Sequence, residues 1–158
     1  RNHSNYKKYV PLFTVGFGTG MRIGEMLSLT WQDIDFDKNV IHVNKTLLYL
    51  YDYVNKTGKT KFIINSPKTE TSIRDIPLLP TVKEAFLKQK AIQPNCEVKI
   101  NGYTNFVFTT RKGNVMSDYS FRITLARIIR GLNQEEEKSA RKEETLLSNR
   151  RISSVSLS

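Results

Sequence analysis

The chain has 158 residues and 18.2 kDa, with 25 Lys+Arg against 15 Asp+Glu, a formal net charge of +10 and a pI near 9.8. A content of 39% hydrophobic and 10% aromatic residues is enough to fill one core, which excludes intrinsic disorder, and the single cysteine, Cys96, excludes an internal disulfide or a thiolate metal cluster. With only His3 and His42 available there is no metal-ligand spacing, and neither a membrane-length apolar run nor a signal-like start is present, so a cytoplasmic protein without metal or cofactor is expected. The charge balance favours a polyanionic partner. Residues 45–74 carry Lys45, Lys56, Lys59, Lys61, Lys68 and Arg74 against Asp52 and Glu70, and a second basic stretch spans 99–130.

Apolar spacing at Val10, Phe13 and Phe17 predicts a helix over Tyr9–Phe17, ended by Gly16, Gly18 and Gly20. A second helix is predicted from Met21, its buried stripe formed by Ile23, Met26, Leu27, Trp31 and Ile34, with Arg22 and Glu25 on another face. A polar turn at Asp33–Asn39 leads into a strand over Val40–Val43 and Leu47–Tyr51. Turns at Asn55–Gly58 and Ser66–Thr69 separate it from strands at Lys61–Ile64 and Ser72–Pro77, which together predict a three-stranded antiparallel meander. His42, in mid-strand, reads as a histidine bonded to backbone, and the alternating Tyr49, Tyr51 and Tyr53 read as one packed face.

Further on, Thr81-Val-Lys-Glu84 fits a capping box for a helix that Pro94 ends. A short apolar segment, Asn105–Phe108, precedes a helix capped by Ser117-Asp118, with Phe121, Leu125, Ile128, Ile129 and Leu132 inward and a charged, solvent-facing extension over Gln134–Glu144. The serine-rich stretch 148–158 has no period and is predicted disordered. The fold expected is α+β, mainly helical, with the three-stranded antiparallel sheet packed at one edge of the helices.

Two phosphate motifs fail. Gly58-Lys-Thr60 ends like a P-loop, but Tyr53 stands where the first glycine is required, and Gly16-Phe-Gly-Thr-Gly20 lacks both the remaining glycine of a dinucleotide fingerprint and a preceding parallel strand. What remains specific is Gly18-Thr-Gly-Met-Arg-Ile-Gly-Glu-Met-Leu-Ser-Leu-Thr-Trp-Gln-Asp-Ile34, followed by Ser66-Pro-Lys-Thr-Glu-Thr-Ser-Ile-Arg-Asp-Ile-Pro-Leu78. In order and spacing these resemble the first half of the catalytic domain of the tyrosine recombinases, the phage-integrase family, and are most similar to the integrases of conjugative transposons. The resemblance covers about residues 6–144.

The resemblance implies the fold of the DNA breaking-rejoining enzymes and a partner, double-stranded DNA, whose phosphodiester a tyrosine attacks to give a 3′-phosphotyrosine without metal or cofactor. Cations are needed around the phosphorane as its equatorial oxygens gain charge. Arg22 matches the first catalytic arginine, Glu25 the acid that supports it, and Lys68 the lysine that protonates the leaving 5′-oxygen. Arg74 is read as a structural or DNA-binding residue. No histidine follows His42, so the family's His-x-x-Arg motif cannot be assigned, nor can its nucleophilic tyrosine; Tyr103 and Tyr119 come too early in the order and read as packing residues.

These features imply residues 1–147 as the N-terminal part of a recombinase catalytic domain, truncated at both ends and followed by a non-family tail. A reading frame lost near residues 145–150 is one explanation of that tail. Although the intact family is a recombinase that works as a tetramer on DNA, the chain is expected to be a DNA-binding monomer without cleavage. The alternative is a non-catalytic basic domain that binds DNA or a regulatory partner; RNA binding has charge and aromatics behind it but no module motif.

Overall fold

A computed structural model of the chain describes residues 6–51, 60–65 and 73–155. Lys68 and both predicted turns around it, 55–58 and 66–69, lie outside the described residues, as do Tyr53 and residues 156–158. By compactness the chain divides into two units, one running to Phe121 and the other starting at Arg122.

After a 3-10 turn at Lys7–Tyr9, helix α1 spans Val10–Thr19, with Pro11 in its first turn, where a missing N–H costs nothing. It runs two residues past the predicted end, through Gly16 and Gly18, and stops at Gly20, whose φ of 63° is left-handed and whose N–H closes on the Gly16 carbonyl (3.2 Å). The inner glycines serve packing: a Cβ on Gly18 would lie 2.6 Å from Val82 Cγ2 of helix α3, Pro80–Ile92. That helix buries Val82, Ala85, Phe86 and Gln89, and Gln89 Nε2 donates to the Val107 carbonyl (3.0 Å). The expected capping box is absent, because the helix starts at Pro80 and takes Thr81 inside its first turn, with no side-chain cap.

Helix α2 is only Ile23–Ser28. Of the apolar stripe predicted to continue it to Ile34, Met26, Leu27 and Ile34 are buried and Ile23 and Trp31 half-buried, and it is carried by three different elements: α2, a 3-10 turn at Trp31–Asp33, and strand β1, Ile34–Asp35. Asp33 makes the break, since its Oδ2 accepts both the N–H and the hydroxyl of Thr30 (2.7 Å each).

The predicted first strand is two strands, β2 (Val40–Val43) and β3 (Thr46–Tyr51). Between them Lys45, 3% exposed, turns its ammonium into the Asp33 carboxylate, and the Ser28 hydroxyl reaches the Lys45 carbonyl (2.9 Å). The chain therefore leaves the sheet plane at Asn44-Lys45. Strand β3 pairs with β4 (Thr60–Asn65) as a separate antiparallel hairpin, where Tyr49 packs on Phe62 at 4.9 Å, as its face predicts. The three-stranded antiparallel sheet is present, but its order is β1-β2-β5, with β5 at Arg74–Pro77, so it is not the expected meander. His42 bonds a side chain rather than backbone: its Nδ1 lies 2.7 Å from Asp75 Oδ1, directly across the β2–β5 pair.

The core of this unit is Leu12, Val15, Leu27, Leu29, Ile41, Val82 and Phe86, closed by Phe106, Val107 and Phe108. The last three are tied to the end of α2 by the Val107 N–H on the Leu29 carbonyl (2.9 Å). Helix α4 spans Asp118–Val155; Ser117 Oγ accepts the Ser120 N–H (3.0 Å) at its start, as predicted. Phe121 is buried with its ring 5.5 Å from Phe13, Leu125 and Ile128 are half-buried, and Ile129 and Leu132 are exposed rather than inward. The backbone of residues 148–155 continues this helix, in place of the predicted disorder. Tyr119 and Tyr103 are both exposed, contrary to their reading as packing residues, although the Lys45 ammonium lies 5.0 Å from the centre of the Tyr103 ring. Among the described residues no helix is long and apolar enough to cross a membrane.

Candidate functional site

The start of α2 is set by two backbone events. Gly20 reverses the chain after α1, and Arg22, extended at φ −63° and ψ 148°, takes the N-cap position. Its backbone N–H donates to Glu25 Oε2 (3.0 Å), the reach-back of an acidic residue in a first turn that satisfies a free amide. Gly24 seats this turn against β3: a Cβ there would lie 2.5 Å from Thr46 Oγ1 and 3.0 Å from the Leu47 carbonyl oxygen. Only glycine lets the helix sit this low, and the closeness buries Glu25, whose side chain is 8% exposed.

A carboxylate this buried requires partners. Arg22 Nη1 donates to Glu25 Oε1 (3.2 Å). From the start of β5, Arg74 donates Nη1 to Oε1 (3.1 Å) and Nη2 to Oε2 (2.8 Å). Strand pairing puts Arg74 there, because it stands opposite Val43 in the β2–β5 register. The Glu25 carboxyl is held below the ordinary glutamate range, chiefly by the Arg74 hydrogen bonds, against burial, which pushes it up; the Arg22 backbone bond adds to the lowering. Arg74 is in turn pushed further above its ordinary value, chiefly by its bond to Glu25.

The cluster is thus two guanidiniums on one carboxylate, a net single positive charge. The Arg22 side chain is 81% exposed and that of Arg74 36%. Such an arrangement can hold an oxyanion at Arg22, whose planar fork matches two phosphate oxygens. Of the four residues singled out from sequence, the structure brings Arg22, Glu25 and Arg74 into one contact set, and Lys68 is outside the described residues.

The Arg74–Glu25 link joins the two sequence motifs and is not encoded in the spacing of either. Sequence reading counts Lys45 toward the basic surface, whereas its ammonium is buried on Asp33. The Thr30-x-x-Asp33 spacing was a usable signal for the local cap; nothing in the sequence marks Lys45 as its partner.

The sequence model of the phage integrase family matches residues 2–145. A XerC-like tyrosine recombinase of Caldanaerobacter subterraneus subsp. tengcongensis is 34% identical over 126 residues, which is 75% of this chain and 32% of that protein. The transposase from transposon Tn916 of Enterococcus faecalis is 30% identical over 118 residues, 73% of this chain and 27% of the relative. Among solved structures, the Tn1549 transposon integrase in complex with circular intermediate DNA superposes with a TM-score of 0.73 at 30% identity, covering 82% of this chain and 40% of that one. Its complex with transposon right end DNA gives 0.72 at 30% identity. The mixed, mainly helical fold with its small antiparallel sheet is that of this integrase. The chain spans about a third of the length of the curated relatives it matches.

Proposed function

Because this chain belongs to the phage integrase family, we propose that residues 1–147 form the N-terminal part of the catalytic domain of a site-specific recombinase that breaks and rejoins double-stranded DNA. The observation that carries this is Arg22: its side chain is 81% exposed yet oriented by a carboxylate only 8% exposed. A charged group held at the surface by a buried partner is preorganised for an anion and needs little rearrangement to bind one. Arg22 takes the oxygens of the scissile phosphate, Glu25 sets the position of that guanidinium, Arg74 belongs to the same DNA-facing cluster, and Lys68 protonates the leaving 5′-oxygen. The relatives' names and the DNA in the Tn1549 integrase complexes support double-stranded DNA as the partner.

The 158 residues contain no histidine after His42 and no tyrosine in the nucleophile's place in the family order. By themselves they bind DNA as a monomer, in the cytoplasm of a bacterium, without cleaving it. Fluorescence anisotropy on a mixed-sequence duplex tests the binding. Affinity should fall steeply as salt rises, since Lys and Arg release counterions from phosphates. Arg22→Ala should weaken binding by about tenfold, the loss of one charge-assisted contact. Affinity independent of salt, or untouched by Arg22→Ala, overturns the reading. A nicked suicide duplex should give no covalent adduct with these residues; an adduct would refute the claim that the chain cannot cleave.

A further inference from the structure

The two arginines on Glu25 are not equivalent. Arg74 meets the carboxylate fork to fork, Nη1 on Oε1 and Nη2 on Oε2. Arg22 engages it with one guanidinium nitrogen, on Oε1, and with its backbone N–H, on Oε2. Each carboxylate oxygen therefore has one donor from each arginine, which fills the roughly four acceptor sites of the group. A bidentate pair fixes orientation as well as distance, and a single contact fixes only distance. Arg74, together with the Arg22 backbone N–H, thus sets the angle of the carboxylate, and the carboxylate determines where the Arg22 guanidinium points.

We propose that Arg74 is a positioning residue that acts on DNA only through Glu25 and Arg22, and does not itself contact the phosphate. This rests on the reading of Arg22 as a phosphate ligand. It assigns to Arg74 a task that a lysine cannot perform, since an ammonium supplies the charge without the fork. It also explains why residues 49 positions apart are joined: the β5 strand, registered on β2, is a support from which to hold the exposed N-cap residue of α2.

The test is a double-mutant cycle on duplex binding with Arg22→Ala and Arg74→Lys. Arg74→Lys, which keeps the ion pair, should retain the native circular dichroism and weaken binding by about fivefold. In the Arg22→Ala background the same change should cost less than about twofold and leave the salt dependence unaltered. An equal loss in both backgrounds would mean that Arg74 touches phosphate directly and would overturn the proposal. So would no loss in the native background, or an unfolded Arg74→Lys variant, which would make the residue merely structural.

If the native chain shows no salt-dependent DNA binding, the phosphate reading itself fails, and a carboxyl carbon-13 titration of Glu25 still decides the positioning claim. Arg74→Lys should raise the Glu25 midpoint more than Arg22→Ala does, because the Arg74 hydrogen bonds are the largest cause of its lowering. A midpoint unmoved by Arg74→Lys overturns the proposal on its own.

Discussion

A carboxylate with four donors around it and little water is a different acid from one in solution, and Glu25 makes the difference measurable. Its folded pKa is depressed, so the stability it contributes is present above the unfolded value of about 4.3 and is lost as pH falls through the lower folded value. Replacing it with Gln at neutral pH should cost about 1.5–3 kcal/mol, the range for hydrogen bonds to a charged group. Urea unfolding of the native chain and Glu25→Gln between pH 7 and pH 3 checks this. The gap should be constant down to about pH 5 and close below the ordinary glutamate value; a gap that persists unchanged at the acid end would show that charge is not its source. Asp35 and Glu84 also titrate low, through bonds from the Lys38 backbone and the Lys88 side chain, but both are present in each protein and cancel in the comparison. Legibility at single positions followed distance along the chain. Arg22 and Glu25, three apart, could be paired from spacing; Glu25 with Arg74, or Asp33 with Lys45, could not.

Helices and strands departed from the expected pattern wherever a contact from another element outweighed the local preference. Helix α1 keeps two glycines that local propensity would use as a stop: a Cβ on Gly18 would meet α3, and one on Gly16 would lie 3.3 Å from Met26 Sδ of α2. Alanine at Gly18 should gain about 1 kcal/mol from propensity, yet its Cβ would meet the fully buried Val82 at 2.6 Å, and overpacking of this kind costs about 1–3 kcal/mol. Gly18→Ala is therefore expected to destabilise the native chain and, in a Val82→Ala background that removes the clash, to become stabilising. Thermal melts of the four proteins read that reversal; the same sign in both backgrounds would refute the close-approach account. The apolar alternation across 40–51 marked β structure correctly. The chain changes sheets at Lys45, however, because a buried ammonium must stay with its counterion, and no period of apolar residues encodes that requirement.

Across the molecule, burial is uneven. The unit ending at Phe121 holds nearly all the fully buried side chains, while helix α4 beyond it is chiefly charged and exposed through residue 143. Amide exchange measures this as local opening free energy. Amides of residues 134–143 should exchange at least about 100-fold faster than those of β2 and of the α1 segment around Val15. Uniform protection along α4 would mean that this helix is held by contacts its exposure does not show. The net charge of +10 is also distributed differently from its sequence tally, since the Lys45 ammonium is enclosed with Asp33. A salt-sensitive affinity for DNA therefore has to be carried by the remaining bases.

Family membership, the mainly helical fold, the placement of Arg22 beside Glu25 and the exposure of the charged helix were all readable in the chain, because each depends on residue type and on separations of a few positions. The order of the sheet, the pairing of β2 with β5, the enclosure of Lys45 and the grip of Arg74 on Glu25 were decided by tertiary packing. Each joins groups whose partner is chosen by how the chain returns on itself. A charge removed from water takes the counterion that the folded backbone brings within reach, and amino-acid order alone does not say which that is.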